Sequence, residues 1–470
     1  MQVTTIDHYL PVAGEFIEWE VDASAARSMQ SPILPSFNQL IHLDAAETSH
    51  TWLAGTFELP GRIDREALGR AFHDLIARHG TLHSSFVRGP AGIERHCLDP
   101  GALRVSARSV SRTTDSAEMR DILRERLDIG CHPFGFPAYL LGAIDRDDRS
   151  TVVCGFDHAH VDAYSISIVI DDLHRLYTAH RDRYGAPLRD LPMCGNFIDY
   201  CHDEQQATAV SISDYRMRDW LRFFDAVDGE LPAFPLDLGV APGERAPQRT
   251  SIQPLLDDAS ATLFQQFCRR NGTTVFGGVL SAMADAVRRL GGGPELATIF
   301  PMHTRREDKW LNAVGWFTTN APVRVVSTGD LATTARRTGP VLRRSIRLGE
   351  IPVPQVIANV GGFRQVRSDI FMVSYIDYRT LPGARLHESI AAHHISNAST
   401  ADDAQFWISR TDRGLALRTR YPDTPVARAT ITAFLDGVRA SLSDAAGRPQ
   451  LSTVVNSPRA DAGRKSRESA

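Results

Sequence analysis

The segment from Thr151 to His180 constrains this chain more than any other. Residues 151–156 (TVVCGF) are short, β-branched and apolar, which predicts a buried strand. A polar turn follows from Asp157 to Asp162. Beyond it, Ile166, Val169, Ile170, Leu173 and Tyr177 recur at helical spacing and predict a helix from Ala163 to about His180. A buried strand that feeds an amphipathic helix needs a sheet with that helix on its face, so the chain is read as α/β. The turn between them lies at a loop mouth, where scaffolds commonly hold working side chains.

The remaining sequence repeats this mixture. Residues 64–79 place Leu68, Ala71, Phe72, Leu75 and Ile76 at helical spacing, and Leu82 and Phe86 follow in a strand entry. In the second half, 260–271 and 275–290 are predicted helices, broken at Asn271-Gly272. Residues 314–326 and 370–378 are predicted strands, 405–421 a hairpin turning at Asp412-Arg413-Gly414, and 425–443 a closing helix. At 470 residues the chain exceeds what one simple core holds. Residues 181–192, with charges, Gly185, Pro187 and Pro192, form the candidate linker. The expected division is a first lobe over 1–190 and a second over 191–455. The polar stretch 456–470 is expected to be a disordered tail.

Several functions are disfavoured. A net charge of −4 does not call for a polyanionic partner, so nucleic-acid binding is not expected. No apolar run approaches a membrane span. The N-terminus lacks a basic start and an apolar core, so no secretory signal is read and the expected compartment is the cytoplasm. The six cysteines form no CxxC pair, and Cys154 is expected to be buried rather than nucleophilic. There is no G-x-S-x-G elbow, P-loop or G-x-G-x-x-G, and Gly291-Gly292-Gly293 before Pro294 reads as a turn.

The turn itself supports two chemistries. His158 can serve as a general base near neutral pH. Asp162, at the start of the helix, can accept backbone N–H bonds and shape the loop that aims His158. Alternatively, His158, His160 and Asp162 read as H-x-H-x-D, the opening of a metal site in a hydrolase. Ala163 stands where a further ligand would be expected, and His393-His394, the best second cluster, is far downstream. No metal is therefore expected, and His160 is read as structural or channel-lining.

Taken together, these residues resemble the condensation-domain superfamily, which includes nonribosomal peptide condensation enzymes and polyketide-associated acyltransferases. Its central motif, H-H-x-x-x-D-G, matches Asp157-His158-Ala159-His160-Val161-Asp162-Ala163, with Asp157 in place of the first His and Ala163 in place of Gly. Arg78-His79-Gly80-Thr81-Leu82 is similar to the R-H-x-x-L segment, and Phe197-Ile198-Asp199-Tyr200 and Trp220 to the D-Y segment and its tryptophan. Residues 231–238 resemble the crossover into the second lobe. Arg305 matches the Arg of the G-R segment, and Gly315-Trp316-Phe317-Thr318-Thr319-Asn320 the G-x-F-x-N strand. The wording G-W-F and residues 231–238 are most similar to the polyketide-associated acyltransferases.

The resemblance implies two chloramphenicol-acetyltransferase-like lobes forming a pseudo-dimer, with the active site in a channel between them. His158 is then the catalytic base. Asp162 is expected to pair with Arg305 across the interface as a structural organiser. Asp157, His160, Trp316, Asn320 and Ser374 are expected to line the channel. The expected reaction moves an acyl group from a thioester to an alcohol or amine, in secondary-metabolite or lipid biosynthesis. Ester formation is favoured over amide. No cofactor is expected beyond coenzyme A, or the phosphopantetheine arm of an acyl or peptidyl carrier protein, as donor carrier. A non-catalytic binding module is the alternative that Asp157 and Ala163 raise. A carboxylate beside His158 is expected to raise its pKa if it lies close enough.

Overall fold

A computed structural model describes residues 1–45, 51–90, 92–182 and 191–447. Most of the expected linker, the boundary at 190/191 and the tail 456–470 lie outside the described residues. The first lobe is built on a sheet ordered β1 (Gln2–Thr5), β14 (His393–Ser396), β4 (Trp52–Pro60), β9 (Arg149–Asp157), β8 (Tyr139–Asp145), β2 (Glu15–Asp22) and β7 (Arg104–Arg112). Strand β9 contains the expected 151–156 and is buried from Ser150 onward. It pairs antiparallel with β4 and β8 at the centre of the sheet. Helices α2 (Arg65–Arg78) and α4 (Ala163–Asp182) pack on one face and α3 (Ser116–Gly130) on the other. Asp64 caps α2 by accepting from the Ala67 N–H at 2.9 Å. Trp52, Phe57, Phe72 and Phe156 are fully buried here, and each such side chain contributes about 1.5–3 kcal/mol relative to exposure. A small sheet, β3 (Ser28–Gln30), β6 (Gly92–Leu98) and β5 (Ser84–Gly89), joins α1 (Phe37–Ala45) at the end of the lobe where β9 stops.

The second lobe has a sheet ordered β13 (Val373–Asp377), β16 (Gln405–Thr411), β17 (Gly414–Pro422), β10 (Ala246–Asp257) and β15 (Thr400–Ala401). Helices α7 (Asp258–Arg270), α8 (Val275–Arg289) and α11 (Pro425–Ala445) share its hydrophobic core. The hairpin β11 (Glu295–His303) and β12 (Thr318–Val326) extends it, with α9 (Leu331–Leu348) packed on β12. Helices α5 (Phe197–Gln205), α6 (Tyr215–Asp225) and α10 (Val353–Ile357) fill the flanks.

The sheets do not divide by sequence. Strand β14, from the second half of the chain, sits between β1 and β4 in the first sheet. The expected strand 314–326 begins only at Thr318. The reason is local: the Phe317 N–H is spent on the Asp162 carboxylate (3.1 Å) and Gly315 O accepts from Ser165 Oγ, so these residues cannot join a ladder. The helix break at Asn271-Gly272 is present, with Gly272 at φ +68°.

Candidate active site

Strand β9 delivers Asp157 to its last position, and α4 begins at Ala163. The intervening loop is pinned from three directions. From below, the Asp162 carboxylate accepts from the Ser165 N–H (2.8 Å), one of the free donors at the start of α4. From the second lobe, Arg305 Nη1 and Nη2 donate to Asp162 Oδ2 and Oδ1 at 2.6 and 3.0 Å. This fork-to-fork pair is buried, with Arg305 also donating to Ser165 Oγ and Ala313 O and held between the rings of Tyr164 and Phe317, each at 4.4 Å. Burial alone would push the Asp162 carboxyl up. The Arg305 charge and its hydrogen bonds outweigh it and hold the carboxyl below its ordinary range. Gly315 closes the cluster: a Cβ there would lie 2.3 Å from the Phe197 ring.

The third direction is α1. Gln39 Nε2 donates to Ala159 O (2.7 Å), and its Oε1 accepts from the buried Arg95 (2.6 Å). One turn on, the His42 Nε2–H donates to both oxygens of Asp157, at 2.9 and 3.0 Å. Sequence reasoning did not single out Gln39, His42 or Arg95. The available signal was modest: Gln39 and His42 stand at i,i+3 on a short helix that also carries Asn38 and Asp44.

His158 stands at the apex. Its backbone N–H donates to Thr51 O (2.9 Å), and the Trp316 ring lies over the imidazole at a centroid distance of 4.0 Å. Its Nδ1 is buried and meets nothing but its own backbone carbonyl, which leaves Nε2 as the nitrogen for a substrate. Burial and the nearby His42 push its pKa down to about 4, against the pull of its own carbonyl, Asp157 and Asp162. The raised pKa expected from a neighbouring carboxylate is therefore corrected. Asp157 is close, but its charge is turned to His42 and to the Ala159 N–H (2.8 Å), and desolvation wins.

The other expected channel residues separate. Trp316 meets His158 directly. Asp157 is fully buried and committed to α1 rather than to a channel wall. His160 is likewise buried: its Nδ1–H donates to Thr81 O (2.8 Å), and its ring packs near Phe86. Asn320 is half-buried on β12 opposite Pro301, and Ser374 is buried on β13 opposite Trp407. Neither joins the His158 hydrogen-bond cluster. Arg78 and His79 both bond Asp172 of α4 (2.8 and 3.0 Å), which fixes the helix that carries Asp162. Cys154 is buried and burial pushes its thiol far up, so it is no nucleophile. Among the described residues no three His, Cys, Asp or Glu side chains converge as metal ligands. His160 and Asp162, which the metal reading needs, are turned to Thr81 and Arg305.

A family model described as "Condensation domain" matches residues 36–454. The chain belongs to the condensation-domain family. Among its relatives, trehalose-2-sulfate acyltransferase PapA2 of Mycobacterium tuberculosis is 26% identical over 462 residues, covering 93% of this chain and 96% of the relative. Acyltransferase PapA3 of the same organism is 24% identical, covering 97% and 99%. A solved structure of PapA2 acyl transferase superposes with a TM-score of 0.85 at 25% identity, over 95% of this chain and all of that one. The protein is an enzyme of the acyltransferase class, and the non-catalytic reading is set aside. Among the described residues no helix is long and apolar enough to cross a membrane.

Proposed function

We propose that the enzyme moves an acyl group from a thioester to a hydroxyl of a polar, sugar-type acceptor, with His158 as general base. The donor is carried on coenzyme A or on the phosphopantetheine arm of a carrier protein. The acceptor oxygen attacks the thioester carbon while its proton passes to His158 Nε2. The C–S bond then breaks, and the departing thiolate takes the proton back. The products are an ester and a free thiol, and no acyl-enzyme is needed.

The observation that carries this reading is the state of His158. A depressed pKa keeps the imidazole neutral at physiological pH, with one nitrogen buried and the other left for a substrate. Trp316 and the pinned loop fix its direction, so part of the rate comes from orientation. Relatives named as acyltransferases of sulfated trehalose support a sugar acceptor and ester formation.

His158→Ala tests it. Turnover should fall by about 10²- to 10⁴-fold, with unchanged melting. Turnover within about threefold of wild type would remove the base role. The base must be unprotonated to act. kcat/KM should therefore stay level through neutral pH and decline only as the pH drops towards about 4, with activity recovered on return to neutrality. A break at the ordinary imidazole value of 6.5 would contradict the site described here.

A further inference from the structure

Strand pairing in the second sheet sets Ser374, Trp407, Arg418 and Ile252 in one row across β13, β16, β17 and β10. Neighbours along β17 alternate. Leu417 and Thr419 pair with Ile408 and Phe406 on the helix-covered side, whereas Ala416, Arg418 and Arg420 face the first lobe. The face turned towards the first lobe thus carries two arginines of β17 beside Trp407, whose ring lies 4.5 Å from the Arg418 guanidinium and 5.4 Å from that of Arg420. Trp407 and Arg420 remain partly exposed there.

Arg418 is only 7% exposed, yet no carboxylate bonds it among the described residues, whereas Arg420 beside it already has the Asp369 carboxylate at 3.6 Å. Its Nη1 donates to the neutral Ser396 Oγ (2.6 Å) and, weakly, to Thr4 O (3.4 Å). Its Nε is buried without a partner, and so are Arg420 Nε, Gln405 Oε1 on the same face, and the nearby His394 Nε2. Burial pushes the Arg418 pKa down to about 10, with Arg420 adding repulsion. A buried cation without a counter-charge is costly and calls for one.

The position is also telling. Ser396 pairs with Leu53, and Leu53 with Phe156, so Ser396 sits two strands from β9, which ends one residue before His158. Two strand spacings are about 10 Å. That reach suits a substituent on a compact acceptor whose hydroxyl lies at His158. A phosphate at the far end of an extended pantetheine arm would lie well beyond it.

The geometry points to an oxyanion subsite on Arg418, with Arg420 and the Trp407 brace, that takes the sulfate or phosphate ester of an anionic acceptor. For the identity of that ligand this rests on the acyl-acceptor reading above. The planar guanidinium offers its free N–H groups as a fork to a tetrahedral oxyanion, and the indole holds the fork in place.

The test is binding without turnover. His158→Ala protein is titrated by calorimetry with trehalose 2-sulfate, with trehalose and with coenzyme A, each in the absence of the other substrate. The sulfated sugar should bind about tenfold or more tighter than trehalose, as expected for charge-assisted hydrogen bonds. Adding Arg418→Gln should erase that preference, and Arg420→Gln should reduce it. Should Arg418→Gln melt early, Arg418→Lys, which keeps the charge but not the fork, should fold and bind the sulfated sugar more weakly. Equal affinity for the two sugars, or a preference that survives in folded Arg418 variants, overturns the subsite. An Arg418-dependent loss of coenzyme A binding, with sugar binding unchanged, assigns the anion to the donor and overturns it too. A failure of His158 as base would show in the turnover assay and leave these titrations intact.

Discussion

Arg305 and Arg418 are both buried where the two lobes meet, and their surroundings differ sharply. Arg305 has a bidentate carboxylate, a hydroxyl, a backbone carbonyl and two aromatic faces. Arg418 has one hydroxyl, one long contact to a carbonyl and one indole. Arg305 has committed both Nη groups to holding the protein together, with Asp162 and Ser165 as the loop it holds, and although its Nε is buried without a partner as that of Arg418 is, its charge is matched by a carboxylate. Arg418 still has donors to spend. A buried charge with its counter-charge in place is a fixture of the fold, whereas one without a counter-charge is poised for something that arrives later.

The largest expected effect breaks the first half of that comparison. Asp162→Ala leaves Arg305 buried with no counter-charge, which should cost about 3–5 kcal/mol in urea unfolding. It also frees the His158 loop, so the rate should fall in whatever protein remains folded. Rate loss with unchanged stability would mean that Asp162 acts on substrate, not on the loop.

Much of this pair was legible in the sequence. Asp162 follows a strand–turn pattern at the start of a predicted helix, and Arg305 was reachable through motif order, whereas Ser165 was not singled out. The helices over 64–79 and 163–180 and the hairpin at 405–421 were also legible, because each is written in local periodicity. His42, Gln39 and Arg95 were not. His42 and Asp157 lie 115 positions apart, and nothing in either local sequence encodes their meeting. Strand β14 escaped for a similar reason: four residues, His393 to Ser396, become a strand only because β1 and β4 leave a place between them. The pKa of His158 was misjudged because a sequence shows its charged neighbour but not where that neighbour points.

An intermediate case lies between the two arginines. Asp157 is fully buried and, among the described residues, its carboxylate is held by one side chain, His42, plus one backbone N–H. His42→Ala should therefore destabilise by about 1–3 kcal/mol, the cost of leaving a buried acceptor short of a partner. The loss of rate should be smaller than that of His158→Ala, since the loop keeps Asp162 and Gln39. His42→Ala together with Asp157→Asn should recover part of the stability, because the uncompensated charge is gone. No recovery would show that the His42 ring matters for packing against Trp316, at a centroid distance of 5.8 Å, and not for charge.

The smallest effect sharpens the second half. Ser396 Oγ is the best partner Arg418 has, at 2.6 Å. If Arg418 is a structural stitch between β17 and β14, Ser396→Ala should be costly and should loosen the contact between lobes. If its charge is held for a ligand, losing one neutral hydrogen bond should cost about 0.5–1.5 kcal/mol, well below Asp162→Ala. Parallel urea titrations of the two variants decide this. Equal destabilisation would place Arg418 with Arg305 as a part of the fold, and the contrast between them would fail. A small loss, together with a protein whose melting temperature rises on adding trehalose 2-sulfate but not trehalose, would keep it, because binding to the folded state adds stability in proportion to affinity.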